Sequence, residues 1–213
     1  MSRLLRSRIV FIFIAIAIPS LGLGQSEVPF HHLTLSGGAG FTTSAAHLAS
    51  TLDRGGNADL NSGYFFNRHF GITGNFIFSE LGVTRATLND ANEPDGKGKL
   101  YGLTADPSLR LPLGRRFSVY ALGGGGYLRR TIEFTMPVAV TVNHKNQHEV
   151  QGTSTMVMAT TVGNSGGFDV GGGVNMPSPW SDDVRLFLEV RYYKGFTSNI
   201  NTTIIPITFG VRW

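Results

Sequence analysis

Residues 202–213 read TTIIPITFGVRW, and the chain stops on that tryptophan. Taking every second residue sets Thr203, Ile205, Ile207, Phe209, Val211 and Trp213 on one face, against Thr202, Ile204, Pro206, Thr208, Gly210 and Arg212 on the other. A repeat of two marks a strand whose faces meet different surroundings. Terminal residues ordinarily fray. A strand that stays apolar to its last residue is therefore expected to be held in a sheet.

The same repeat recurs upstream. In Leu100–Leu111, Tyr101, Leu103, Ala105, Pro107, Leu109 and Leu111 oppose Gly102, Thr104, Asp106, Ser108 and Arg110. In Val184–Tyr193, Val184, Leu186, Leu188, Val190 and Tyr192 oppose Arg185, Glu189 and Arg191, and in Val162–Met176, Phe168, Val170, Gly172 and Val174 oppose Gly167, Asp169, Gly171, Gly173 and Asn175. Leu33–Phe41 and Phe70–Phe78 alternate less cleanly, Phe117–Leu128 is assigned by position, and Leu60–Phe66 is ambiguous in register. With the final strand the count is eight, and no helical periodicity of useful length accompanies them. The spacings fall into two kinds. Short connectors are expected at Asn67–His69, Pro112–Arg116 and Pro177–Asp183, long ones at Thr43–Asp59, Leu81–Gly98 and Thr131–Thr161, and an intermediate one at Lys194–Asn201. Short turns at one end and long loops at the other describe an all-β, antiparallel up-and-down barrel.

The first 24 residues stand apart. Arg3, Arg6 and Arg8 precede the apolar run Ile9–Ile18, then Pro19 and Gly22-Leu23-Gly24. That order predicts a secretory signal peptide over residues 1–24, with the barrel domain over 25–213. The apolar run is shorter than the roughly 20 residues a spanning helix needs. The leader holds three of the 18 Lys and Arg residues and none of the 14 Asp and Glu, so the remaining chain carries fifteen against fourteen, a formal charge of +1. The pI of 9.6 thus owes much to the leader, and no basic footprint for nucleic acid is left. Cysteine is absent, which excludes a disulfide framework and a lipid-modified cysteine behind the leader.

Alternation alone fits a soluble barrel as well as a membrane one, and the less apolar face decides between them. A sheet facing water should carry Lys, Glu and Thr at bulky positions. Here that face is Gly, Ser, Thr and Asp with occasional Arg, residues suited to the cramped interior of an eight-stranded barrel. Asp106, Arg110, Asp169, Glu189, Arg191 and Arg212 are expected to form a polar network in that lumen, with the apolar face toward lipid. Backbone groups in hydrocarbon find no water, so a sheet spans a bilayer only by closing on itself. Aromatic residues at proposed strand ends, Tyr64, Phe65, Phe66, Phe70, Trp180, Tyr192, Tyr193 and Trp213, are expected at the membrane interfaces. Pro107 and Pro206 conflict with a closed sheet, where each removes a donor. Bulges or extramembranous strand ends would accommodate them.

The leader, the eight alternating strands, the connector pattern and the ending ITFGVRW together resemble the OmpA/OmpX-like family of small outer-membrane β-barrels. The resemblance covers the chain beyond the leader and rests on pattern, with no catalytic motif. It implies residence in the outer membrane of a diderm bacterium, among outer-membrane lipids and lipopolysaccharide, as a monomer. It also implies that the last strand is an assembly signal read by the barrel-assembly machinery. Trp213 matches the terminal aromatic of that signal, where Phe is commoner, and Val211, Phe209, Ile207 and Ile205 match its alternating apolar positions. No cell-wall-binding domain is expected after the strand.

Candidate chemistry is sparse. Gly37-Gly38-Ala39-Gly40, Gly123–Gly126 and Gly171–Gly173 lack the strand-to-helix context of a phosphate loop. His144 and His148 have a helical zinc-pair spacing but fall in a loop, and no third ligand is assignable. No His-x-Ser occurs, and His47 and His69 have no partner in their own strands. Accordingly no cofactor, metal or catalytic residue is expected. The longest loop is more informative: residues 136–142 and 153–159 are β-prone and flank a polar tip, predicting a projecting hairpin open to strand addition. The expected role is structural or surface-interacting, through an extracellular ligand at the loops. A narrow channel through the glycine-rich lumen and a lipid-modifying enzyme are the alternatives.

Overall fold

A computed structural model describes residues 32–114, 116–143, 149–181, 183–196 and 201–213. The leader, its cleavage site and the His144–His148 segment lie outside the described residues. Eight antiparallel strands, β1 (Leu33–Ser44), β2 (Leu52–Phe65), β3 (Phe70–Val83), β4 (Asp95–Leu113), β5 (Phe117–Asn143), β6 (Glu149–Pro177), β7 (Arg185–Gly195) and β8 (Thr202–Arg212), pair in sequence order. β8 closes the ring on β1, from Ser36↔Arg212 to Ser44↔Ile204. Beyond the last ladder pair, Trp213 N–H donates to Leu35 O at 2.8 Å and Leu35 N–H to Trp213 O at 3.1 Å. The terminal residue is thus clamped through its backbone.

The start of β1 and the end of β8 share one mouth with the three short turns. In the first, the Asn67 side-chain oxygen accepts from the amides of His69 and Phe70, both at 2.8 Å, an Asx turn that reverses the chain without a longer loop. In the second, Gly114 adopts φ +72°, a conformation that glycine tolerates at little cost. At the opposite mouth, a 3-10 turn (Ala46–Ser50) links β1 to β2 and a short helix α1 (Arg85–Ala91) links β3 to β4. Thr84 caps α1 with its hydroxyl, and Asn92 ends it in the left-handed region at φ 55°.

Several strands are longer than their periodicity implied. β2 begins at Leu52, within the stretch expected to be a long connector, because Asn57, Asp59 and Asn61 are buried in the lumen. Their polarity reads locally as loop, yet they occupy alternate positions of a strand. The register of β2, ambiguous in sequence, places Leu60, Ser62 and Tyr64 outward, with Asn61, Gly63 and Phe65 inward. β3 and β4 likewise extend into the expected second connector, and β5 and β6 fill most of the third. Beyond the apolar band both faces of a ribbon meet water, so the alternation that identified these strands fades.

The two prolines mark neither bulges nor strand ends. Pro107 falls where the β4–β5 ladder skips from Ala105↔Gly125 to Ser108↔Leu122, and Pro206 where the β7–β8 ladder skips from Val190↔Ile207 to Tyr193↔Ile204. In both cases the register resumes unchanged. Each missing donor costs local pairing on one side, while the neighbouring ladders remain intact at Ile72↔Pro107 and Thr42↔Pro206.

Candidate functional site

The lumen is filled in layers. Nearest the loop mouth, Leu48, Leu52, Ile77, Leu81, Leu100, Leu128, Ile132 and Ile204 pack into an apolar cluster. Leu48 comes from the 3-10 turn, so the first loop folds inward as part of the plug. Ile77, Leu100 and Ile204 lie on the strand face expected to be polar, since a position pointing into the barrel above its middle meets other side chains rather than water.

Below that cluster lies a charged layer centred on Arg191. Its Nη1 donates to Asp106 Oδ2 at 2.7 Å and to Asp169 Oδ2 at 3.1 Å, its Nη2 to Asn61 Oδ1 at 2.9 Å, and its Nε to Glu189 Oε1. One guanidinium thereby draws together residues from β2, β4, β6 and β7. Asp59 joins through Asn61 and Asn75, whose amides both donate to it. Tyr193 donates to Asn75 Oδ1 at 2.6 Å and Tyr120 to Glu189 Oε2 at 2.7 Å. Buried charges are tolerable only when paired and hydrogen-bonded, and this layer leaves two exceptions: Asp106 Oδ1 and Asp169 Oδ1 have no partner.

Toward the short-turn mouth, Arg212 donates to Asn175 Oδ1 at 2.8 Å and lies 3.9 Å from Glu189 Oε2. Arg110 stands outside the expected network. Its guanidinium is 4.0 Å from the Phe65 ring centroid, and no carboxylate pairs with it among the described residues. The partners left out of the expected network, Asp59, Asn61, Asn75 and Tyr120, lie on inward positions, and of these alternation had placed only Asn75 on the polar face. The alternation of Asn57, Asp59 and Asn61 was the available signal. Two aromatics expected at the membrane interface also point inward, Phe65 at 3% exposure and Tyr193 at 0%. A cavity of about 10 Å³ remains near this mouth, room for roughly one water.

The outer wall has the opposite chemistry. On β4 and β5, outward positions from Leu103 to Leu113 and from Phe117 to Tyr127 carry no charge. The register Phe78↔Tyr101↔Arg129↔Asn164 ends this band. Beyond it come the ion pairs Lys99–Glu133 at 2.8 Å and Lys97–Glu80 at 3.0 Å. Eleven residues of β5 thus cover the apolar band, in keeping with the roughly 9–11 that a tilted strand needs to cross hydrocarbon. In β8, Ile205, Ile207, Phe209 and Val211 face outward with Trp213 at the rim, and Phe209 and Trp213 are more than half exposed.

At the loop mouth the third connection rises above its neighbours. β4 pairs with β5 only as far as Asp95↔Thr135, and β7 with β6 only as far as Gly167↔Gly195. β5 and β6 remain paired to Asn143↔Glu149, forming a two-stranded ribbon. Ladder partners shift from Phe134↔Ala159 to Thr135↔Val157, leaving Met158 as an extra residue, and such a bulge bends the ribbon. No group of His, Asp or Glu suited to a metal occurs among the described residues.

A closed eight-stranded barrel with an apolar outer band, short turns at one mouth and extended loops at the other defines an outer-membrane β-barrel protein. A family model for the outer membrane protein beta-barrel domain matches residues 12–212, and the chain belongs to that family. Neisserial surface protein A superposes with a TM-score of 0.57 at 14% identity, covering 85% of this chain and 96% of that one. Ail, the attachment invasion locus protein of Yersinia pestis, gives 0.49 at 16% identity with 85% and 97% coverage. OprG from Pseudomonas aeruginosa gives 0.48 at 14%, with 84% and 95% coverage. No curated protein matches the chain. The protein is therefore an outer-membrane barrel of the OmpA/OmpX-like kind.

Proposed function

We propose that the barrel is a membrane scaffold whose β5–β6 ribbon docks an extended segment of an extracellular protein along the free edge of β6. The observation carrying this reading is that edge itself. From Glu149 to Ser165, β6 is paired with β5 on one side and with no strand on the other among the described residues. Open edges invite strand addition, and proteins usually guard them with charge or proline. Here residues 151–168 contain neither, and Met156, Val157 and Met158 are each at least half exposed. No catalytic step belongs to this reading. The filled lumen gives no support to a conducting path.

Joining Phe134 to Ala159, which face each other in the ladder, through an Asn-Gly turn removes the ribbon together with Met156, Val157 and Met158 and leaves the barrel wall below it in place. Cells displaying this variant are expected to lose at least tenfold in binding to immobilised extracellular-matrix proteins, while the protein keeps its faster gel mobility before boiling. Undiminished binding with the ribbon removed would end the proposal.

The reading extends to biogenesis, with β8 as the segment presented to the barrel-assembly machinery and lipopolysaccharide as the surrounding outer leaflet. The outward apolar series ending at Trp213 supports this. Trp213→Ala removes the terminal ring and keeps the backbone clamp to Leu35. Severalfold less heat-modifiable protein should reach the outer-membrane fraction. If the yield is unchanged, the ring is dispensable for assembly.

A further inference from the structure

We infer that the short-turn mouth of the barrel is a binding site for a small phosphate-class oxyanion, held by Arg110 with Arg185 and Arg212 beside it. In barrels of this class that mouth faces the periplasm. Arg110 is half-buried, yet its side chain makes no hydrogen bond or ion pair with any described residue, and its buried Nε lacks a partner. The charged side chains acting on it are Arg212 and Arg185, and no carboxylate is among them. The lumen's acids are engaged elsewhere. Asp106 and Asp169 are committed to Arg191, as is Glu189, which also accepts from Tyr120 and reaches Arg212 only at 3.9 Å. Arg185 donates only to the Arg116 carbonyl, at 3.2 Å.

Geometry favours an anion over a chance accumulation of positive charge. Stacking on Phe65 engages the face of the Arg110 guanidinium and leaves its five in-plane donors unused. Such a planar fork matches two oxygens of a phosphate. Behind it, Ser108 Oγ is also buried without a partner, and Ser108, Arg110 and Arg212 line the same cavity of about 10 Å³. That volume holds roughly one water. A phosphate is larger and seats at the mouth, on the guanidinium edges.

The test uses full-length protein purified from outer membranes in zwitterionic detergent, titrated calorimetrically at fixed ionic strength in chloride buffer. Inorganic phosphate and dihexanoylphosphatidylglycerol below its micelle concentration are the two probes. Saturable phosphate binding is expected, weakened at least tenfold by Arg110→Gln and unaffected by Lys99→Gln on the far rim. Arg110→Lys, which keeps the charge and loses the fork, should fall between them. Saturation by the lipid alone, with the same dependence on Arg110, keeps the site and assigns it to inner-leaflet headgroups. Absence of saturation by both probes overturns the inference, as does binding that Arg110→Gln leaves intact in a correctly folded barrel.

Discussion

Replacing Arg191 with methionine is expected to destabilise the barrel by about 3–5 kcal/mol, the usual cost of removing one partner from a buried ionic cluster. Arg191 is 3% exposed, and Asp59, Asp106, Asp169 and Glu189 lie within its network, each at 3% or less. Methionine fills most of the volume but leaves these acids without their central cation. The urea midpoint in detergent should fall sharply, and the unboiled gel band should disappear at a lower temperature. Asp169→Asn should cost less, because Asp106 and Glu189 still pair with the guanidinium and Asp169 Oδ1 has no partner to lose. A midpoint unchanged in Arg191→Met would mean that the acids are held by something other than this residue.

The second large effect is steric. A Cβ placed on Gly126 would lie 2.0 Å from Leu103 O, and one on Gly124 would lie 2.1 Å from Ala105 O. Both contacts are with the backbone of β4, which cannot rotate aside as a side chain can. Gly126→Val is therefore expected to prevent closure between β4 and β5, well beyond the roughly 1–3 kcal/mol typical of an overpacked core. The readout is absence of a heat-modifiable band despite normal export. Gly166→Ala provides the control, since nothing lies within 4 Å of the added atom, and should assemble normally. Closure of Gly126→Val at wild-type yield would show that β4 can shift at this point.

These glycines illustrate how far local pattern reaches. Gly123–Gly126 blurred the faces of β5 in sequence, and a run of small residues cannot say what presses against it. The contact comes from β4, and its severity is set by the path of that strand. The prolines make the same point in reverse. Local rules place Pro107 and Pro206 at bulges or strand ends, whereas each occupies a short break in one ladder whose register continues on both sides.

The sequence by itself determined the outward faces of β4, β6, β7 and β8, because lipid imposes one requirement on every outward position within the band. Ile205, Ile207, Phe209, Val211 and Trp213 were legible for that reason, as were the strand count and the alternation of short and long connections. It also identified Asp106, Asp169, Glu189, Arg191 and Arg212 as inward groups, since charge on a period of two has to avoid hydrocarbon. Tertiary structure alone decided what each inward group meets. Asn61 and Arg191 are 130 residues apart and share a hydrogen bond, a meeting that depends on ring closure and strand stagger. The same closure left Arg110 without an acid, turned Ile77 and Leu100 into a plug, and ended β4 and β7 below the β5–β6 ribbon. Lipid acts on every outward residue alike, whereas the lumen is assembled from neighbours that the closed ring alone brings together.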